Sequence, residues 1–166
     1  MLLKALYPKR LTASVYDLDW EKLAAHYGGV VFDIDNTLVP HGAPADKRAE
    51  ALFGRLQSLG MKTILVSNNK EGRVRPFAES LHTDYVHKAG KPKKKGYEKA
   101  IRKLGLVPER ILFLGDQIFT DIWGANRVGM YTILTEPVDP STDEIQIVIK
   151  RWFEKPFRTI PEKGGK

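Results

Sequence analysis

Short apolar runs alternate with longer amphipathic segments along most of the chain, from about residue 28 onward. The runs are rich in β-branched and aromatic residues and predict buried strands at 30–34, 63–66, 85–86, 111–114 and 131–134. Segments with apolar residues at helical spacing lie between them and predict helices at about 46–59, 73–81, 95–104 and 121–128. This alternation predicts βαβ units, and therefore an α/β fold with a mainly parallel sheet covered on both faces.

The length of 166 residues suits a single domain over residues 1–166, with a core at about 28–136 and an extension at each end. The C-terminal extension places five apolar residues on one helical face: Ile145, Val148, Ile149, Trp152 and Phe153. Two interpretations remain open. The favoured one packs this face on the sheet, and the other rests it on an anionic membrane, as the apolar N-terminal residues 2–7 could also do.

Composition excludes several kinds of site and favours an anionic partner. The absence of cysteine excludes a disulfide framework, a thiolate zinc site and a cysteine nucleophile, and it fits a cytoplasmic protein. The four histidines lack zinc-binding spacing, and no apolar run is long enough to span a membrane. The net charge of +7 favours an anionic partner, such as nucleic acid, anionic lipid or a phosphorylated substrate, without choosing among them.

Polar residues cluster where the predicted strands end. Asp33 and Asp35 follow the first strand, Ser67 and Asn68 follow the second, and Asp116 follows the fourth, with Asp121 five residues later. Functional residues of parallel α/β sheets lie at the carboxyl ends of the strands, so these side chains should converge. Clustered carboxylates repel one another unless a cation joins them, and an oxygen-only ligand set suits Mg²⁺.

Two further segments complete a possible phosphate site. Residues 67–69 offer a hydroxyl, amides and backbone N–H groups that lead into a helix, which is a natural phosphate cradle. Lys91 follows the short strand at 85–86 and could neutralise a phosphate or a nucleophilic carboxylate. The run Lys93–Lys95 is more typical of a solvated helix start, and His41 lies in the loop after the first strand.

Four segments in order resemble the motifs of the haloacid dehalogenase (HAD) superfamily of phosphatases. They are Asp33–Leu38, with the pattern DxDxT, Val66–Asn68, Lys91–Pro92 and Gly115–Asp121. A lone DxD segment would be weak evidence for this family. The ordered set of four segments is strong evidence, because it spans residues 30–121 and each segment falls at a predicted strand end. The resemblance implies a three-layer, Rossmann-like fold and phosphate monoester hydrolysis.

The resemblance also implies a role for each residue. Asp33 would be the covalent nucleophile, and Asp35 would protonate the leaving group and then activate water. The metal site would comprise Asp33, Asp35 through its backbone carbonyl, Asp116 and Asp121. Ser67 and Asn68 would bind phosphate oxygens, and Lys91 would balance their charge.

The spacing of the motifs leaves no room for a cap domain. Only 31 residues separate Asp35 from Ser67, and 23 separate Ser67 from Lys91. This arrangement is similar to the subfamily IIIA phosphatases of the YqeG family, whose mitochondrial relatives dephosphorylate phosphatidylglycerophosphate on the route to cardiolipin. The resemblance therefore implies this lipid as substrate, and a cytoplasmic enzyme that is peripheral at the inner face of the membrane.

Two alternatives stay open at this point. One is a phosphatase of a soluble sugar or nucleotide phosphate. The other is a non-enzymatic scaffold that binds nucleic acid or a ribosome factor through its lysines. The intact acidic cluster argues against nucleic acid as a partner, because a pure nucleic-acid binder gains nothing from four clustered carboxylates.

Overall fold

The computed structural model describes residues 2–160 and contains a six-stranded sheet in which all neighbouring strands are parallel. The strand order is β1-β6-β5-β2-β3-β4. The strands are β1 (Arg10–Thr12), β2 (Gly29–Phe32), β3 (Lys62–Val66), β4 (Asp84–Val86), β5 (Ile111–Gly115) and β6 (Tyr131–Thr135). The α-helices are α1 (Trp20–His26), α2 (Lys47–Ser58), α3 (Glu71–Ser80), α4 (Lys94–Leu104), α5 (Trp123–Arg127) and α6 (Ile145–Glu154).

Apolar side chains of the sheet alternate between two cores, which confirms the three-layer α/β prediction. In β2, Val30 and Phe32 pack with helices α1, α2 and α3 on one face, whereas Val31 packs with α4 and α5 on the other. All four β2 residues are buried, as expected for a central strand covered on both sides. Within residues 2–160, no cap domain interrupts this architecture, and residues 33–46 alone connect β2 to α2.

The strands and helices predicted from residue 28 onward are present, with shifted ends. Asp46 caps α2 by accepting a hydrogen bond from the Ala49 N–H at 2.9 Å, and Gly105 ends α4 in the left-handed conformation with φ 65°. The helix predicted from Asp121 begins earlier, as a π-helical turn (Ile118–Ile122) that continues into α5.

Two elements near the N-terminus were not predicted. Strand β1 has only three residues and lies at the sheet edge, so it lacks the apolar run of a buried strand. Helix α1 has only seven residues, too few for a clear periodicity. Leu6 in the preceding 3₁₀ helix (Leu2–Leu6) packs beside Ile118 and Phe157, so much of this extension belongs to the fold.

The expectation that the apolar face of α6 packs on the sheet is wrong. Its five apolar side chains are exposed: Ile145 (74%), Val148 (49%), Ile149 (54%), Trp152 (65%) and Phe153 (59%). The opposite, polar side of the helix faces the protein, through Arg151 and the fully buried Glu154. Among residues 2–160, no helix is long and apolar enough to cross a membrane.

Candidate active site

The carboxyl ends of β2, β3 and β5 bring together the side chains that sequence analysis proposed. Asp33 follows β2, and its N–H donates to the Leu114 carbonyl of β5 at 2.9 Å. Ser67 follows β3 and lines the same cleft as Asp33, Asp35, Lys91 and Asp121. The central strand thus carries the proposed nucleophile, with neighbours from both halves of the chain on either side.

Three carboxylates form the centre of the site. Asp33, Asp116 and Asp121 each offer an oxygen, and these oxygens all lie within 4.8 Å of one another. All three side chains are buried. Buried carboxylates this close together repel unless positive charge lies among them.

Lys91 supplies part of that charge. Its Nζ lies 2.7 Å from Asp33 Oδ1 and 2.7 Å from Asp121 Oδ1, and its side chain is only 3% exposed. The second oxygen of Asp121 accepts a hydrogen bond from the Gln117 N–H at 3.1 Å. One lysine thus connects the proposed nucleophile to a proposed metal-site residue.

Burial and mutual repulsion govern the ionisation of this cluster. Burial, followed by the charge of Asp121, raises the pKa of Asp33 well above its usual range. The same two causes raise the pKa of Asp116 to about 6. Burial opposes charging of Lys91, but Asp121 and Asp33 outweigh it and raise the lysine's pKa, so Lys91 is a cation. The raised pKa values of Asp33 and Asp116 mean that the site disfavours their charged forms unless more positive charge is present.

Gly115 is required for this arrangement because the chain approaches Asp121 too closely for a side chain. A Cβ at position 115 would lie 2.5 Å from the Asp121 carboxylate. This contact is shorter than real Cβ contacts, so any larger residue would displace Asp121 from Lys91.

Asp35 stands apart from the three central carboxylates. Its Oδ1 accepts hydrogen bonds from the Gly42 N–H at 2.8 Å and from Arg73 at 2.9 Å, and its Oδ2 accepts one from the Asn69 amide at 2.6 Å. Burial, the largest influence, raises the pKa of Asp35, but the Gly42 N–H and Arg73 together lower it below its usual value. The side chain is 15% exposed and lies at the cleft, where it could reach a substrate oxygen.

Asn68 uses its side chain differently from its neighbours. Its amide accepts from the Lys91 N–H at 2.7 Å and donates to the Lys91 carbonyl at 3.2 Å, so it positions the lysine. The Ser67 hydroxyl accepts from the Asn69 N–H at 3.1 Å and remains at the cleft. His41 also lines the cleft, with its Nε2 3.5 Å from a Glu144 carboxylate oxygen.

Sequence analysis missed two residues that hold the central carboxylates. The Thr37 hydroxyl lies 3.3 Å from Asp33 Oδ2 and 3.1 Å from Asp116 Oδ1. Arg151, on α6, forms ion pairs with both Asp116 and Asp143 and donates to the Asp116 carbonyl at 3.1 Å. Thr37 could have been proposed from its place in the DxDxT segment. Arg151 carries no local signal for this role, because Asp116, its partner among the central carboxylates, lies 35 residues away.

We expect replacement of Arg151 to destabilise the protein strongly. Arg151→Met would leave Asp116 and Asp143, whose side chains are 0% and 1% exposed, without their cation. Breaking a buried ion pair from one side typically costs about 3–5 kcal/mol of unfolding free energy. Urea denaturation would measure this loss, with Lys150→Met as a matched control at an exposed position of the same helix. Equal stability of the two variants would contradict the role of Arg151.

The donor set fits a hard divalent cation. Asp33, Asp116 and Asp121 offer only oxygens, the ligands that Mg²⁺ prefers. Lys91 is shared by Asp33 and Asp121, and Arg151 is shared by Asp116 and the buried side chain of Asp143, so a further cation would relieve the remaining repulsion. The Asp35 carboxylate, held by Arg73, lies outside this group.

Comparisons with known proteins agree with this site. Residues 43–129 match the family described as haloacid dehalogenase-like hydrolase. The Bacillus subtilis protein named "Probable phosphatase YqeG" is 38% identical over 99% of this chain and 96% of its own. The chloroplastic phosphatidylglycerophosphate phosphatase 1 of Chlamydomonas reinhardtii is 30% identical over 89% of this chain, which spans 59% of that protein.

Solved structures support the fold. A haloacid dehalogenase-like hydrolase from Brucella suis superimposes with a TM-score of 0.59 at 14% identity, over 69% of this chain and 87% of that one. This likeness concerns the fold alone. The sequence matches confirm the resemblance drawn from the four motifs: the chain belongs to the haloacid dehalogenase-like hydrolase family and is a phosphoric monoester hydrolase.

Proposed function

We propose that this protein hydrolyses phosphate monoesters with Mg²⁺ through a phosphoryl group carried on Asp33. The observation that supports this most directly is the pairing of Asp33 with Lys91 beside two further buried carboxylates. Asp33, Asp116 and Asp121 would hold the ion, together with the Asp35 carbonyl. When bound, Mg²⁺ would neutralise phosphate oxygens and the nucleophile, so that the two anions can approach each other.

In the first step, an Asp33 carboxylate oxygen attacks phosphorus, and the bond from phosphorus to the ester oxygen breaks. Asp35 gives its proton to the departing oxygen, which leaves as an alcohol. The Ser67 hydroxyl and the Asn68 N–H bind the phosphate oxygens, and Lys91 balances their charge. The N–H groups of Ser67 and Asn69 already donate to the Val86 carbonyl and to the Ser67 hydroxyl. The cleft of about 250 Å³ that these residues line accommodates a phosphate group.

In the second step, water attacks phosphorus on Asp33, and Asp35 takes the proton from that water. Inorganic phosphate is released, and both carboxyl groups return to their starting states. The Gly42 N–H and Arg73, which lower the pKa of Asp35, favour the carboxylate form that takes this proton. The same contacts disfavour the protonated form that the first step requires.

Asp116→Ala should weaken magnesium use more than it weakens substrate binding. The substitution removes one hard oxygen ligand and leaves Arg151 without its partner near the metal. We expect the magnesium concentration for half-maximal turnover to rise by at least about tenfold, which corresponds to about 1.4 kcal/mol. Turnover measured against magnesium concentration at saturating substrate tests this. An unchanged half-saturating concentration would exclude Asp116 as a ligand.

We further propose phosphatidylglycerophosphate as the substrate, acted on at the inner face of the membrane. The support is the 30% identity to an algal enzyme of that name and a cleft that no cap domain covers within residues 2–160. An uncapped cleft leaves room for a head group that is still attached to a bilayer. The terminal phosphate of this lipid is a monoester, as Asp33 chemistry requires.

The rival substrate class is a soluble sugar or nucleotide phosphate. Release of inorganic phosphate from detergent-dispersed phosphatidylglycerophosphate should be compared with release from a panel of soluble esters, with Mg²⁺ and at matched concentrations. We expect kcat/KM for the lipid to exceed that for every soluble ester by at least about 100-fold, or about 2.7 kcal/mol. Faster turnover of a soluble ester would overturn the lipid assignment.

A further inference from the structure

Helix α6 is amphipathic in the reverse of the usual sense for a helix at a protein surface. Its apolar side is exposed, and we call the five residues Ile145, Val148, Ile149, Trp152 and Phe153 the outer face of α6. Scattered exposed apolar residues need no explanation, but a contiguous patch with two aromatic rings marks an interaction surface. The rings of Trp152 and Phe153 contact each other edge to face, with centroids 5.5 Å apart.

The inner side of the helix fixes this orientation. Arg151 is paired with buried Asp116 and Asp143, and Glu154 accepts a hydrogen bond from the Phe119 N–H at 2.9 Å. A rotation that buried the outer face would break these contacts and leave buried charges unpaired, at a cost of several kcal/mol. The helix therefore cannot cover its apolar residues with the rest of residues 2–160, the part of the chain that the structure describes.

The position of α6 connects the outer face to the active site. Gln146, Ile147 and Lys150 of the same helix line the cleft that contains Asp33 and Lys91. Anything that docks on the outer face thus lies beside the cleft mouth. The partner of this surface and the substrate of the site are expected to arrive from the same direction.

Charge distinguishes the candidate partners. Lys150 and Lys155 are exposed on or directly after α6, and the whole chain carries a net charge of +7. A second copy would bring the same positive charge to the interface, whereas an anionic bilayer attracts it, by about 1 kcal/mol for each lysine or arginine near the surface. Tryptophan beside lysine is also typical of side chains that sit at the head-group level.

We propose that the outer face of α6 inserts into the head-group region of an anionic lipid bilayer and holds the cleft against it. The docked helix would lie parallel to the membrane, with the outer face toward the acyl chains and Lys150 among the anionic head groups. This inference rests on the proposed lipid substrate only for its biological purpose. The surface itself is argued from exposure, contacts and charge.

Sedimentation with vesicles tests the surface without the substrate. Full-length protein is mixed with vesicles of phosphatidylcholine containing phosphatidylglycerol, or of phosphatidylcholine alone, in EDTA. We expect binding to the anionic vesicles, weakened at high salt, and a shift of the tryptophan emission to shorter wavelength that the variant without Trp152 lacks. The variant Trp152→Ala/Phe153→Ala should bind at least tenfold more weakly. Val107→Ala is the matched control, because Val107 is an equally exposed apolar residue (59%) away from the cleft.

Activity on a soluble ester separates this proposal from the proposed function. The double variant should hydrolyse p-nitrophenyl phosphate as the wild type does, because neither ring lines the cleft. Failure of the wild type to bind anionic vesicles, or equal binding by the double variant, would overturn the inference. So would a wild-type dimer in solution that the double variant dissolves, since a second copy would then cover the face. Vesicle binding without lipid hydrolysis would support the docking surface and refute the proposed substrate.

Discussion

Asp33→Asn should abolish turnover while the protein remains folded. The amide is nearly the same size as the carboxylate but cannot attack phosphorus, and it is a weaker metal ligand. We expect kcat to fall by at least about 10⁴-fold, as for other enzymes that lose a covalent nucleophile. Phosphate release from p-nitrophenyl phosphate, with a coupled assay sensitive to slow turnover, measures the loss. Substantial activity in the folded variant would contradict the covalent mechanism.

Thermal denaturation in EDTA provides the control for Asp33→Asn and carries its own expectation. Because burial raises the pKa of Asp33, the folded state disfavours its charged form at neutral pH. An uncharged amide removes that cost and still accepts a hydrogen bond from Lys91. The melting temperature should therefore equal or exceed that of the wild type. A marked decrease would indicate that the ion pair with Lys91 contributes more than the repulsion from Asp121 and Asp116.

Lys91→Ala should damage both stability and catalysis. Lys91 Nζ lies 2.7 Å from Asp33 Oδ1 and 2.7 Å from Asp121 Oδ1. Its loss would leave both buried carboxylates without the cation that they share. Removal of one partner from a buried pair costs about 3–5 kcal/mol. For a chain of this length, that corresponds to a decrease in melting temperature of about 10 °C. Lys95→Ala, at an exposed position on α4, is the control.

The Lys91→Ala variant should turn over more slowly than the wild type even at saturating substrate. The charge of Lys91 matters most while negative charge moves between phosphorus and Asp33, so kcat should decrease by at least about 100-fold. Magnesium should recover part of the lost stability, because it binds the unpaired carboxylates of the folded state alone. A defect confined to KM, with kcat unchanged, would contradict this role.

The sequence predicted the fold well where side-chain patterns report burial directly. Central strands such as β2 and β5 are continuous apolar runs because both faces are covered, and α2 and α4 carry recognisable ends at Asp46 and Gly105. Strand β1 was not predicted because it has only three residues and lies at the sheet edge, where it pairs with one strand and contains no long apolar run. The convergence of Asp33, Ser67 and Asp116 followed from a rule of parallel sheets, not from any long-range information.

Helix α6 shows where pattern reasoning fails. An apolar helical face is evidence that something covers it, and the expected partner was the sheet. The decisive contact is polar instead, since Asp116 needs a cation and Arg151 supplies it from 35 residues away. The spacing of apolar residues along the chain gives no information about such an ion pair. Asp35 is similar, because its partners Gly42, Asn69 and Arg73 become neighbours only through the fold.

The order of strands in the sheet has a consequence for how the protein folds. Strand β2 pairs on one side with β3, which follows it closely in the chain, and on the other with β5, about 80 residues later. Closing that long loop costs entropy before the pairing returns any stability, so this half of the sheet should form late. Until β5 emerges during synthesis, the apolar residues Val30–Phe32 present an unpaired strand edge. A nascent chain halted after α4 would hold Asp33 and Lys91 but lack Asp116 and Asp121. Its aggregation-prone edge would then lie beside an incomplete set of the proposed metal ligands.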